Sequence, residues 1–189
     1  MRTVHKKILH LNGAREALTA LCDGFFDDLA WIDACTEASA KDIPRRVHNL
    51  LVHHNHMTAT LVEHYGQPVA LDVVDQRQSG DQYRRKIVLT VDSGRVVEFG
   101  IVRLDLRFTS PPARAAILER KTPLGDIFGQ YQVLTRVEPL WYLQFPPESP
   151  PVQYFRPPSL GPAYGRIAMI HCDGQPALEL LEVVRGDGD

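Results

Sequence analysis

The stretch Arg166-Ile167-Ala168-Met169-Ile170-His171-Cys172-Asp173-Gly174-Gln175-Pro176-Ala177-Leu178-Glu179-Leu180-Leu181-Glu182-Val183-Val184 decides the fold. Two aliphatic runs, 166–170 and 177–184, flank the dipeptide Asp173-Gly174, which favours the backbone of a tight hairpin turn. The pattern therefore predicts two antiparallel strands. In the second, Glu182 falls in phase with Leu178, Leu180 and Val184, while Glu179 lies on the other row, because successive side chains on a strand point to opposite faces. Glu182 accordingly points inward, or else sits at a strand edge paired with an arginine such as Arg103 or Arg166.

Strand-like runs also precede this hairpin. Val69, Leu71 and Val73 alternate with Ala70, Asp72 and Val74, and Arg85, Ile87, Leu89 and Val91 alternate with Lys86, Val88 and Thr90. The polar segment 75–82, with Gly80, reads as a loop between them. Asp92-Ser93-Gly94 is a second hairpin signal, leading into a strand from Val96 to Leu106. Val133 to Val137 and Leu140 to Phe145 read as two strands separated by Glu138-Pro139. Helical spacing appears at Ala14 to Leu21, ended by Asp23-Gly24, with an apolar cluster of Phe25, Phe26, Leu29, Trp31 and Ile32 after it. Pro44 suits a helix start, and two short helices follow over Val47 to Val52 and Met57 to His64. Asn55 is the expected cap between them, and Tyr65-Gly66 ends the second. A helix over Pro111 to Arg120, with Ala115, Ile117 and Leu118 on its apolar side, and a short one at Asp126-Ile127-Phe128 complete the set. The segment 146–162 carries seven prolines and reads as a loop. The fold class is α+β: an antiparallel β-sheet with helices packed on one face. Residues 1–48 read as an N-terminal helical extension packed on the domain, 49–185 as the domain itself, and 186–189 as a solvated tail.

Composition narrows the function. A chain of 189 residues, 44% hydrophobic and 23% charged, suits one domain. A net charge of -2 gives no general attraction for nucleic acid or an anionic membrane surface, so an anionic ligand must be held by a few local cations. No apolar run approaches the roughly 20 residues that span a bilayer. The basic start, with Lys6-Lys7, leads into a segment too short and polar for a signal peptide. Cys22, Cys35 and Cys172 form no CxxC and read as reduced thiols of a cytoplasmic protein. Among His48, His53, His54, His56 and His64 only His53 and His56 share helical spacing. No acidic or cysteine ligand joins them at a recognised interval, so neither a metal nor another cofactor is expected.

Arg85 and Glu182 are the residues best suited to chemistry. An arginine at the head of a strand presents a rigid fork that takes a carboxylate bidentately. A carboxyl group on the inner face of a sheet is poorly solvated, which favours its protonated form and use as an acid.

Four blocks in order add to this: Leu50-Leu51 with Met57-Thr58, Glu63 and Gly66; Arg85-Lys86-Ile87-Val88-Leu89; Lys121-Thr122-Pro123-Leu124-Gly125; and Gly174-Gln175-Pro176 leading to Glu182. Together, from Leu50 to Val184, they resemble the chorismate lyase family, cofactor-free enzymes that split chorismate into 4-hydroxybenzoate and pyruvate. The resemblance implies that 49–185 is a chorismate lyase-like domain. It implies that Arg85 holds a substrate carboxylate and that backbone N–H groups around Met57, Thr58, Leu124 and Gly125 donate to carboxylate oxygens. It also implies that Glu182 protonates the leaving oxygen, which makes the chain a carbon–oxygen lyase.

The chain departs from the family in several places. His56-Met57-Thr58 stands where the family has Ser-Met-Thr, so His56 is a further candidate contact to the substrate. Leu181-Glu182 stands for Thr-Glu, and Glu98 and Arg103 flank a region where the family has Ala-Gly-Arg. The ligand is accordingly chorismate or a small aromatic carboxylate. The second reading is a non-catalytic, sensor-like domain of the same fold, as found in the effector-binding parts of some bacterial transcription regulators. Against it, the 48 leading residues are too few for a winged helix and not clearly basic, and no nucleic-acid or membrane partner is expected. The oligomeric state is left open.

Overall fold

The computed structural model describes residues 8–92, 94–156, 158 and 161–186. The Lys6-Lys7 pair, Ser93 of the second turn, three residues of the proline-rich segment and tail residues 187–189 lie outside the described residues.

In chain order the regular elements are α1 (Ala14–Cys22), β1 (Thr36–Ala38), α2 (Arg45–Leu51), α3 (Met57–Tyr65), β2 (Ala70–Ser79), β3 (Gln82–Val91), β4 (Arg95–Asp105), α4 (Pro111–Glu119), α5 (Leu124–Gln130), β5 (Thr135–Phe145), β6 (Ala163–Cys172) and β7 (Gln175–Val184). The strands make one sheet in the order β1-β5-β6-β7-β4-β3-β2, every neighbouring pair antiparallel. This is the expected α+β class. The C-terminal hairpin lies at its centre, between β5 on one side and β4 on the other.

Three departures from the sequence reading have physical causes. The polar segment 75–82 is not a loop: β2 runs on to Ser79 and turns through Gly80-Asp81 into β3. β2 is an edge strand with much of its length in water, so it needs no apolar row to keep its pairing. Glu138-Pro139 does not divide two strands either. β5 is continuous, with a register shift between Pro139 and Trp141, and only its far end, Tyr142 to Gln144, pairs with β1. Pro139 therefore sits where the strand has a free side, and its missing N–H breaks no ladder there. The leading 48 residues, read as helical, also contribute the short edge strand β1.

The helix ends follow simple chemistry. Ser110 caps α4, its side chain accepting from the Ala113 N–H, with proline in the first turn. α4 buries Ala113 and Ile117, four apart, rather than Ala115. α3 ends at Gly66, φ 66°, where glycine adopts the left-handed conformation without strain. Its N-cap is His56, not Asn55.

The faces of the sheet differ. Phe99, Ile101, Ile167, Met169, Leu181 and Val183 pack with Leu18 and Leu21 of α1. The alternate rows face α2 to α5: Ile87, Leu89 and Val184 pack with Leu51, Met57 and Leu61, and Val102, Ile170 and Leu180 pack with Ile117, Leu124 and Phe128. α2 to α5 thus gather on one face, as expected, and α1 covers the other. The carbonyls at the end of α1 are held by strand arginines: Arg103 Nη1 donates to Ala20 O at 3.4 Å and Arg84 Nη2 to Leu21 O at 3.2 Å. Among the described residues no helix is long and apolar enough to cross a membrane.

Candidate ligand-binding site

On the four-helix face, three aligned rows cross the sheet. Antiparallel pairing places Ile87 opposite Gly100, Gly100 opposite Glu182, and Glu182 opposite Arg166. The neighbouring rows put Arg85 opposite Val102 and Leu89 opposite Glu98. Cross-strand partners share a face, so Arg85, Glu98, Arg166 and Glu182 all project toward the helices. The start of α3 and the turn into α5 close over them. All seven residues singled out in the sequence, Arg85, Glu182, His56, Met57, Thr58, Leu124 and Gly125, line a single cavity of about 50 Å³. Glu98 and Gly100 line it too.

Glu182 is not presented as a free acid. Arg166 Nε donates to Glu182 Oε2 at 2.6 Å, and Arg166 is wholly buried. The edge pairing weighed from the sequence is thus half right: the partner is Arg166, but the pair lies at the sheet centre, while Arg103 pairs with Glu179 on the opposite face. Arg166 also fixes the α2–α3 connection. Its Nη1 donates to Leu51 O at 3.2 Å and His53 O at 2.9 Å, and its Nη2 donates to Asn55 O at 3.2 Å.

The histidines are taken up locally. His53 Nε2 donates to Leu50 O at 2.8 Å, so its Nδ1 is the acceptor that faces the Asn55 N–H at 3.1 Å and Arg166 Nη1 at 3.3 Å. A second ring proton would meet these donors. Burial first, and then Arg166, hold the His53 imidazole below its ordinary range. His54 Nδ1 lies 3.1 Å from Val137 O, and His56 Nε2 lies 2.8 Å from Thr135 Oγ1, so both pin the connection to β5. Burial also lowers His56. Among the described residues no group of three or more His, Cys, Asp or Glu side chains is placed to hold a metal ion.

Arg85 is the opposite case. Its side chain is 1% exposed, and neither Nε nor Nη1 has a hydrogen-bond partner. Burial draws its pKa down, against the nearby Tyr83 and Glu98. Glu98 mirrors it, 2% exposed with Oε2 unpartnered. Burial, with the Glu182 charge adding to it, raises the Glu98 carboxyl well above the usual carboxylate range. With Arg166 and Glu182 paired and burial favouring the protonated form of Glu98, Arg85 is left as a guanidinium with two unbonded nitrogens in the site. At the start of α3 the first N–H groups have no intrahelical acceptor, and Met57 and Thr58 are the residues there that line the cavity.

Arg166 and Glu98 are the functional residues that sequence reasoning undervalued. The first appeared only as an edge partner and the second as a departure from a family pattern. The usable signal was strand phase, since Glu98, Gly100 and Val102 alternate as Leu178, Leu180 and Glu182 do. A larger cavity of about 180 Å³ lies on the other face, lined by Leu18, Ile32, Cys35 and Leu143 among others. The charged side chains at its rim, Arg15 and Glu37, are exposed, and Arg15 is paired with Asp33, so that cavity lacks the unpaired buried charges of the first.

No protein-family model and no curated protein matches the chain. Solved structures do. The effector domain of PhnF from Mycobacterium smegmatis is similar with a TM-score of 0.54 at 14% identity, over 70% of this chain and 90% of that domain. PhnF from the same organism gives 0.55 at 13% identity, over 72% of this chain and 66% of PhnF. The chain thus spans a little under two thirds of the length of PhnF. The likeness establishes the fold as chorismate lyase-like. The expectation of a carbon–oxygen lyase is corrected by the same finding, because the neighbours are PhnF and its effector domain, neither of them described as a lyase.

Proposed function

We propose that the chain is a non-catalytic ligand-binding domain whose site takes a small aromatic carboxylate of single negative charge. The observation that carries this reading is Arg85, buried with two unpartnered donor nitrogens. An isolated buried cation is costly unless something neutralises it, and a carboxylate accepting from a free guanidinium N–H supplies that charge. Arg166 does not compete for the anion, being committed to Glu182 and three carbonyls. Between the polar groups the sheet side of the cavity presents Ile87, Leu89, Val102 and Leu180, which suits a flat hydrocarbon body. The fold shared with effector domains supports binding without reaction.

The test is titration calorimetry with benzoate, beside a chorismate incubation followed for pyruvate. Benzoate binds the parent protein, and Arg85→Met weakens it by on the order of 2–5 kcal/mol, the cost of removing one partner of a buried charge pair. Chorismate is left intact. Equal affinity in Arg85→Met would remove Arg85 as the anion site, and steady pyruvate release would remove the non-catalytic reading.

A further inference from the structure

Glu98 has no role in holding an anion, yet it lines the same cavity as Arg85. We infer that the ligand carries, besides the carboxylate held by Arg85, an uncharged oxygen group such as a hydroxyl, and that Glu98 is the residue that selects it. This rests on the anion-site reading above.

The geometry comes from the strand register. Arg85, Ile87 and Leu89 on β3 stand opposite Val102, Gly100 and Glu98 on β4. Arg85 and Glu98 therefore mark two ends of one track, with the Ile87–Gly100 row between them. At about 3.3 Å per residue the two end rows are about 13 Å apart along the strands, a span the side chains shorten. The Ile87 side chain lies over Gly100, where a Cβ would come within 3.0 Å of Ile87 Cγ1 and 3.4 Å of Glu98 Oε1. A ligand lying along this track with its carboxylate at Arg85 brings its other end to Glu98, whose Oε2 has no protein partner. A buried polar atom of this kind is costly until something bonds it.

The surrounding charges select the kind of group. Glu98 on β4 feels the charges of Glu182 and Arg166, which are bound to each other on β7 and β6, and of Arg85 on β3. With Arg166 bound to Glu182 and Arg85 taken by the first carboxylate, a second carboxylate would be buried with no cation left for it, and an ammonium would meet the Arg85 guanidinium. An uncharged group that both donates and accepts meets neither penalty. Its hydrogen bond to Glu98 works with the carboxyl protonated, the state burial favours, because a carboxylic acid offers one donor and an acceptor oxygen.

Calorimetry on the full chain with benzoate, 3-hydroxybenzoate, 4-hydroxybenzoate and terephthalate tests this. In the parent protein one hydroxybenzoate binds about tenfold tighter than benzoate, the value of one buried hydrogen bond, and terephthalate binds no better than benzoate. In Glu98→Met the hydroxyl advantage disappears while benzoate binding persists. Melting curves confirm that this variant is folded; should it not fold, Glu98→Ala replaces it. Glu98→Gln, which keeps a donor and an acceptor, retains part of the advantage. An unchanged advantage in Glu98→Met, or none in the parent protein, overturns the inference and leaves the anion site standing provided benzoate still needs Arg85. Failure of all four probes to bind overturns the aromatic-carboxylate reading and this inference with it.

Discussion

Arg166 does more for the site than any residue that could touch a ligand. Its guanidinium neutralises Glu182 and ties down the carbonyls of Leu51, His53 and Asn55, so it sets where α3 begins. Removing it strands a buried carboxylate and three acceptors. Arg166→Met should therefore cost about 3–5 kcal/mol in urea unfolding. Arg166→Lys should recover little, because an ammonium cannot reproduce the planar fork. Equal stability of Arg166→Met and the parent would contradict this.

The titrating residues act in opposite directions. Glu98, raised by burial, keeps a proton when folded that the unfolded chain loses above about 4.5. Its contribution is whole below that pH and falls as pH rises toward the folded value. His53 and His56, lowered by burial from 6.5, contribute fully above 6.5 and lose stability as pH falls toward their folded values. Between pH 5 and 8 the melting temperature of Glu98→Gln should therefore rise relative to that of the parent. Parallel curves would mean that Glu98 titrates normally.

At the scale of elements, α1 is the clearest case of tertiary packing deciding stability. It has nine residues, too few to hold a helix alone in water. What keeps it is the burial of Leu18 and Leu21 against the sheet, together with the strand arginines that take its last carbonyls. Leu18→Ala should cost about 2–5 kcal/mol in chemical denaturation, and a value below 1 would show that α1 is peripheral. Its periodicity and its Asp23-Gly24 stop were legible in the sequence, as were α4 and the hairpins at Gly94 and Gly174. β2 beyond Val74 and the continuity of β5 through Pro139 were not. An edge strand and a bulge relax the apolar alternation and the ban on proline by which a strand is recognised.

For the whole molecule, a buried Arg85 with two unbonded donor nitrogens implies that an anion stabilises the fold. Benzoate at one hundred times its dissociation constant should add about 2.7 kcal/mol to unfolding, seen as a rise in melting temperature that Arg85→Met abolishes. Arg85→Met itself, lacking the unpaired buried cation, should melt no lower than the parent without ligand. A ligand-induced rise that survives in Arg85→Met would place the anion elsewhere.

The sequence by itself determined the α+β class and the central hairpin with Glu182 on its inner row, because these follow from local period and turn chemistry. Five of the seven residues that come to line one cavity, His56, Met57, Thr58, Leu124 and Gly125, were marked by the family resemblance of their short blocks. Tertiary structure decided the charge balance of that cavity. A register shift between Ile170 and His171 sets Arg166, rather than its neighbour, opposite Glu182, and another between Leu89 and Thr90 brings Glu98 onto the face of Arg85. A slip of one residue turns every later side chain to the other side of the sheet. Those two bulges therefore determine which carboxylate is neutralised, which is left buried, and which arginine remains for a ligand.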